Sequence, residues 1–294
     1  MHLFLEYVGF GLVSASILAL AAVGFTLQYG VTNVLNLAFG QVMTLGALAA
    51  YGVNVVGGDV WEMVVAGGLC GAAASVALNR VVISPFARRG LRLFGMIVVT
   101  LSLSIIMGNV ALIVFGFGTF SYSLSTSSSN VLGMTFTGDQ LETMALAVAG
   151  MVGIRLLLQR TRLGRAMRAT STDPILARAC GMNTQLIADV AWAISGVLCG
   201  VAGVTEAISV SAFSVTTGDG LLLTIVAAAI VGGIGQPYGA MLGAVLIGVV
   251  TSLVGGYANP TYTDLTAFVI LVVFLVFRPV GLARGVVSER GVLA

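Results

Sequence analysis

The sequence predicts an all-α fold: a polytopic membrane bundle of about eight to ten transmembrane helices. Three observations lead there. Apolar side chains make up 58% of the 294 residues and charged ones only 8%, where an ordinary soluble domain carries roughly 25% charged residues. A surface so poor in charge needs lipid around it. The apolar residues also gather into runs close to the ~20 that cross a bilayer core. Finally, the basic residues form three clusters, and nine spans put all three on one face.

Taken in order, the runs fall near 8–28, 37–57, 62–83, 94–117, 141–159, 186–208, 221–235, 239–257 and 264–278. The seventh and ninth are short, and the first two also fit one broken unit. The first run lacks a basic leader and a defined cleavage site, which argues against a cleavable signal. Between the first two runs, Gln28, Thr32, Asn33, Asn36, Gln41 and Thr44 flank Gly30 and Gly40. Polar groups in apolar spans are costly and often functional. Two readings stand: an ordinary turn, or a discontinuous helix whose Asn33, Asn36, Gln41 and Thr44 line a solute path.

Arg80, Arg88, Arg89 and Arg92 cluster at the end of the third run and beyond it, and Arg155, Arg160, Arg162, Arg165, Arg168 and Arg178 at the end of the fifth and beyond. Arg278, Arg284 and Arg290 close the ninth and follow it. Arginine enrichment marks cytoplasmic connections, so the C-terminus is expected inside and the N-terminus outside. The opposite face then receives Asp59, Glu62, Asp139, Glu142, Asp219, Asp264 and the serine-rich stretch SYSLSTSSSN at 121–130. Asp189 opens the sixth run, where the helix dipole favours negative charge. Gly67/Gly71, Gly196/Gly200 and Gly239/Gly243 have the small-x-x-x-small spacing that lets helices approach closely in lipid. That spacing serves packing within the bundle or a dimer face.

The basic residues also exclude functions. All 13 are arginine. Without lysine there is no phosphate-gripping G-x-x-x-x-G-K-[ST] loop and no Schiff-base chemistry. GGIGQ (232–236) superficially resembles the tail of an ATPase signature, but without that loop it reads as a helix end before Pro237. Cys70, Cys180, Cys199 and His2 have no metal-ligand spacing. No histidine base or converging carboxylates suit an intramembrane enzyme, and a net charge of +2 gives no reason to expect nucleic acid.

The stretch TRLGRAMRATSTDPILARACGMN (161–183) concentrates charge between the fifth and sixth runs. Residues 162–170 suit a helix bearing Arg162, Arg165 and Arg168 at three-residue spacing. Asp173 is a good N-cap, Pro174 suits the first helical position, and Gly181 can close the helix in the left-handed conformation. A short capped helix from Pro174 to Cys180 follows. By composition alone it serves as an anchor on anionic headgroups or as a docking element for a soluble partner.

This stretch, from T161-R-L-G-R-A-M-R-A169 through Asp173 to A177-R-A-C-G-M-N183, resembles the coupling loop of branched-chain amino acid ABC importer permeases. LNLAFGQVMTLGALAAY (35–51), AAAIVGGIGQPYGAMLGAVLIGVV (227–250) and FRPVGL (277–282) resemble that family's other landmarks in the same order. The length suits the shorter, LivH-like of its two permease subunits. The resemblance implies a type II ABC importer architecture, with residues 1–294 as one transmembrane permease domain and the cytoplasmic coupling loop at 160–185. It implies that Arg162, Gly164, Arg165, Arg168, Asp173, Pro174, Ala177 and Gly181 form the surface that meets an ATPase.

The implied partners are a second, LivM-like permease chain, two cytoplasmic ABC ATPase subunits, an extracytoplasmic solute-binding protein and the lipid of the cell membrane. This chain then holds no cofactor; ATP and magnesium belong to the ATPase subunits. Near the outer end of the sixth run, among Thr205, Ser209, Ser211 and Ser214, Glu206 either guides an incoming ammonium group along the path or marks where the binding protein docks. Many members place a histidine and an acidic residue around the glycine read here as Gly40, where this chain has Phe39 and Gln41. The neutral cluster therefore also suits urea, short amides or simple sugars. A stand-alone channel or secondary transporter is the alternative of another class. Ion-coupled carriers usually need mid-span carboxylates or histidines, and the runs hold essentially none.

Overall fold

In a bilayer core each backbone polar group must be satisfied within the chain, and winding apolar runs into helices does this segment by segment. The computed structural model describes residues 2–91, 93–122, 128–131, 134–210, 212–278 and 281–282. Its elements are α1 (His2–Thr32), α2 (Phe39–Val55), α3 (Val60–Leu78), α4 (Ser84–Arg88), α5 (Leu93–Phe115), α6 (Gly138–Arg160) and α7 (Arg162–Thr172). Then come α8 (Pro174–Ala179), α9 (Thr184–Val210), α10 (Thr217–Gly232), α11 (Pro237–Tyr257) and α12 (Thr263–Phe277). One π-turn, Asn79–Ile83, joins α3 to α4 without a break.

Among the described residues seven helices are long and apolar enough to cross a membrane. They are α1, the continuous Val60–Arg88 helix, α5, α6, α9, α11 and Pro260–Phe277, to which a 3-10 turn contributes the first residues. At 17 and 16 residues, α2 and α10 extend about 26 and 24 Å, less than the ~30 Å hydrocarbon core. The nine expected runs thus correspond to seven full helices and two short ones. In the serine-rich connection, β1 (Ser128–Val131) and β2 (Met134–Thr137) form a small antiparallel hairpin with Ser128 opposite Thr137. It is a small exception to the all-helical expectation.

α1 and α9 form the core, with Leu20, Phe25, Trp192 and Cys199 almost fully enclosed. α5 instead turns Leu101, Ile105, Val110 and Ile113 outward, as α12 does with Val269, Val272 and Val276. Exposed aliphatic side chains on two such helices suit lipid or another membrane chain.

Glycines set the closest crossings. α3 meets α9 along Gly67, Gly71, Gly196 and Gly200, where a Cβ on Gly71 would stand 3.0 Å from the Gly200 Cα. α10 packs on α11 through Gly232, Gly239 and Gly243. The small-residue spacings seen in the sequence are therefore used inside this chain.

Contacts also fix helix directions. Gly30 of α1 lies against Gly235 while Gly11 lies against Val249, so α1 and α11 are antiparallel. Asn79 meets Asp189 where α3 ends and α9 begins, and the Leu282 amide donates to the Val231 carbonyl beyond the end of α12. Arg80, Arg88, Arg89, the arginines of 155–178 and Arg278 consequently gather toward one end of the bundle. Arg92, Arg284 and Arg290 lie outside the described residues. Glu62, Glu142 and Asp264 mark the opposite end, near the starts of α3, α6 and α12.

Candidate functional site

The charged stretch folds as two short helices at the arginine-bearing end. Thr161 caps α7 by accepting the Gly164 amide at 3.0 Å. Gly164 lies directly on the backbone of Leu157 and Leu158, so that the chain can double back at the end of α6. Gly164, Met167 and Thr170 face the bundle, whereas Arg162, Arg165 and Arg168 are exposed. Three-residue spacing separates the two faces.

Asp173 then caps α8, its Oδ1 accepting the amides of Ile175 at 2.8 Å and Leu176 at 3.0 Å. Pro174 occupies the first helical position and Ala177 is buried. Gly181 has φ +81°, and the Met182 amide donates to the Ala177 carbonyl at 3.1 Å. This is the glycine-closed end expected of such a helix. Two residues of this surface escaped the sequence reading: Ile175 is 75% and Leu176 61% exposed. An apolar pair inside a polar capped turn was the available signal.

A cavity of about 270 Å³ lies beneath α7. Leu27, Val31, Leu158 and Met167 form part of its wall, Arg168 and Gln236 part of its polar lining. It lies between the charged stretch and the α10–α11 connection.

The second polar region follows α1. Asn33, with φ +54°, ends that helix and is exposed. The chain runs irregularly through 33–38, with the Leu35 carbonyl taking the Thr100 hydroxyl of α5 at 3.0 Å. Asn36 is 2% exposed and its Oδ1 accepts the Ala38 amide at 3.1 Å, which starts α2. Among the described residues its Nδ2 has no partner. Thr44 is buried where α2 meets α10, donating to the Gly40 carbonyl and accepting the Gly218 amide, both at 3.2 Å. Gly40 and Gly218 make that crossing possible: a Cβ on Gly40 would stand 2.5 Å from the Gly218 oxygen.

The crossing brings Gln41 of α2 against Asp219 in the first turn of α10. Gln41 Nε2 donates to Asp219 Oδ2, and the Ser104 hydroxyl donates to Oδ1 at 3.3 Å. Ser104 is the midpoint of α5, with eleven helical residues on either side. Asp219, expected on the outer connections, is thus beside the middle of a spanning helix. The reason is that α10 begins at Thr217, four residues before the expected start at 221. Glu206 lines a separate narrow space of about 10 Å³ with Thr44, Ser214 and Thr217. The structure therefore groups Gln41, Thr44 and Glu206 around the start of α10 and leaves Asn33 apart. Ser211 lies outside the described residues.

An aromatic cover closes the far side of this region. Phe120 and Phe213 exchange backbone hydrogen bonds of 2.8 Å, and Tyr51 and Tyr122 pack edge-on or tilted against Phe213. The Tyr122 hydroxyl donates to the Ala47 carbonyl at 2.9 Å. Burial pushes its pKa up, so it remains a donor.

Asp189 behaves differently. It accepts Asn79 Nδ2 at 2.7 Å and Arg80 Nε at 2.9 Å, while Gln185 Nε2 bridges from Ser84 at 2.6 Å to Asp189 at 3.5 Å. This network ties the π-turn to the first turns of α9.

Residues 7–277 match the family model described as "Branched-chain amino acid transport system / permease component". The chain is 27% identical to the high-affinity branched-chain amino acid transport system permease protein LivH of Salmonella typhimurium, covering 95% of each. It is 29% identical to BraD, which bears the same description, of Pseudomonas aeruginosa, covering 92% of this chain and 93% of BraD. Similarity to the ribose import permease protein RbsC of Escherichia coli is 28% over 81% of this chain and 74% of that one. Among solved structures, PsaBC from Streptococcus pneumoniae in complex with Fab aligns with a TM-score of 0.50 at 17% identity, over 92% of this chain and 91% of that one. That likeness concerns the fold alone.

Proposed function

The chain belongs to the branched-chain amino acid transport permease family, and from that premise we propose that it is half of the translocation pathway of an ATP-driven importer for branched-chain amino acids. The family match over residues 7–277 carries this reading. The partners are a second permease chain, LivM-like rather than an identical copy, two ABC ATPases and a solute-binding protein. The arginine-bearing end faces the cytoplasm, with the C-terminus on that side. Residues 1–294 act as one permease domain, and ATP with magnesium is bound by the ATPase chains.

Arg162, Gly164, Arg165, Arg168, Asp173, Pro174, Ala177 and Gly181 build the coupling surface. Gly164 and Ala177 let it sit tightly on the bundle; Asp173, Pro174 and Gly181 fix the shape of α8; the arginines and the exposed Ile175 and Leu176 meet the ATPase. Aliphatic side chains so exposed at the polar end suit a groove on a soluble partner. The solute path runs by Gln41, Thr44 and Glu206, with Asn33 and Asn36 toward the arginine-bearing end.

Replacing both Arg168→Glu and Gly181→Asp tests the coupling. The double variant is expected to weaken ATPase recruitment by about 2 kcal/mol or more, roughly 30-fold, measured by co-purification and ATP-dependent leucine uptake in proteoliposomes. Unchanged recruitment and uptake would sink the docking role.

One observation favours a second reading. Asp219 supplies a carboxylate beside the midpoint of α5, the feature an ion-coupled carrier needs. Leucine uptake by the purified chain alone, driven by an ion gradient without nucleotide, would select that reading.

A further inference from the structure

Resting on the importer reading, we propose that Asp219 and Gln41 form the point on the solute path that recognises a primary ammonium group. Asp219 is reached by two neutral donors, Gln41 Nε2 and the Ser104 hydroxyl. Among the described residues it has no cationic partner; the one ion pair there is Arg80–Asp189. An ionised carboxylate inside a bundle is costly until it is paired or protonated. Here the protein supplies orientation and leaves the charge without a counter-ion.

Gln41 gives the second, independent observation. It is 1% exposed, yet its Oε1 has no partner among the described residues. The other end of the same amide touches Asp219, so the unsatisfied acceptor lies beside the carboxylate. Exchanging the amide's two ends would set oxygen against oxygen, so the donor toward Asp219 is the stable arrangement. An unpaired buried acceptor costs about 1–3 kcal/mol and is retained where something else completes it.

The donor count of an ammonium group fits. It offers three N–H donors and accepts nothing. Asp219, Gln41 Oε1 and the free lone pair of the Ser104 oxygen offer three acceptors. A neutral amide, urea or a sugar leaves the carboxylate charge unanswered. The site therefore separates amino-acid-like solutes from the neutral solutes that a polar, uncharged path would also admit.

Access comes from the first turn of α10, where Thr216 and Gly220 are exposed next to Asp219. Gly40 and Gly218 keep α2 and α10 close enough for Gln41 to reach across.

The test uses Thr216→Cys in the assembled importer in membrane vesicles, with the same complex lacking that change giving the background from Cys70, Cys180 and Cys199. Two thiol reagents are compared, trimethylammonium-ethyl and sulfonate-ethyl methanethiosulfonate, each normalised to its rate on a free thiol. A carboxylate in a cleft concentrates cations, so the ammonium reagent is expected to be favoured about tenfold. Adding Asp219→Asn should remove the preference, and leucine should slow the ammonium reagent only while Asp219 is present.

A preference that survives Asp219→Asn overturns the inference. So does protection by sodium at constant ionic strength but not by leucine, which assigns the carboxylate to a metal cation. Uptake is read in parallel, with Asp219→Asn expected to lower leucine transport tenfold or more and Asp219→Glu to restore part of it. If wild-type vesicles show no nucleotide-dependent uptake, the importer reading fails, while the thiol rates still decide whether Asp219 holds an ammonium group.

Discussion

Two aspartates inside the bundle make an instructive pair. Both stand near the start of a helix, and both lie by a glycine-lined crossing: Asp189 near the α3–α9 seam, Asp219 where Gly40 meets Gly218. Asp189 is completed by its own chain, with a guanidinium, an amide from the π-turn and a bridging glutamine around it. Among the described residues Asp219 receives only neutral donors, one of them from an amide whose oxygen is itself unpaired there. A polar group whose partners are all supplied by the fold holds the fold together. One left incomplete at the middle of a spanning helix is available to a passenger.

The most severe way to disturb this contrast is at the seam that supports Asp189. Gly200→Val drives a branched side chain into the Gly67 backbone and is expected to cost about 3 kcal/mol or more, seen as loss of monodisperse protein after detergent extraction. Asp189→Ala comes next, at about 2 kcal/mol in reversible unfolding from mixed micelles. Most of that cost falls on the buried Asn79 amide left without its acceptor. The Arg80 side chain is 66% exposed, so water takes over its share.

Asp219→Asn is the mildest. It keeps a group that can meet Gln41 and Ser104 and removes an unpaired charge, so stability should stay level or rise by up to about 1 kcal/mol. A loss as large as that of Asp189→Ala in the same unfolding measurement would erase the distinction.

Much of the architecture was legible beforehand because lipid imposes a simple rule on long segments. The nine runs anticipated the helix ends to within six residues, and Asp173, Pro174 and Gly181 announced the boundaries of α8 through capping chemistry. What stayed hidden depends on contacts between distant segments. Asp219 read as an outer-face residue because hydropathy places the run after it, and nothing local reveals that Gln41, 178 positions away, draws the start of α10 inward. The pairing of Phe120 with Phe213 is equally non-local. Asp189 opens one apolar run and Asp219 precedes another, but it is their neighbours in space that separate their roles.

The wide turn at Asn79–Ile83 has a further consequence. A π-turn carries one residue more than regular winding requires. The extra residue is taken up within the turn, so the winding before and after it keeps its bearing. Excising it should relax the turn to regular helix and leave Arg88, Arg89 and Ser84 on their present side of the rim, whereas the same deletion in the regular part of α3 would turn them by about 100°. The surplus residue thus works as slack in the helix, a place that can lose a position without re-aiming the α4 arginines.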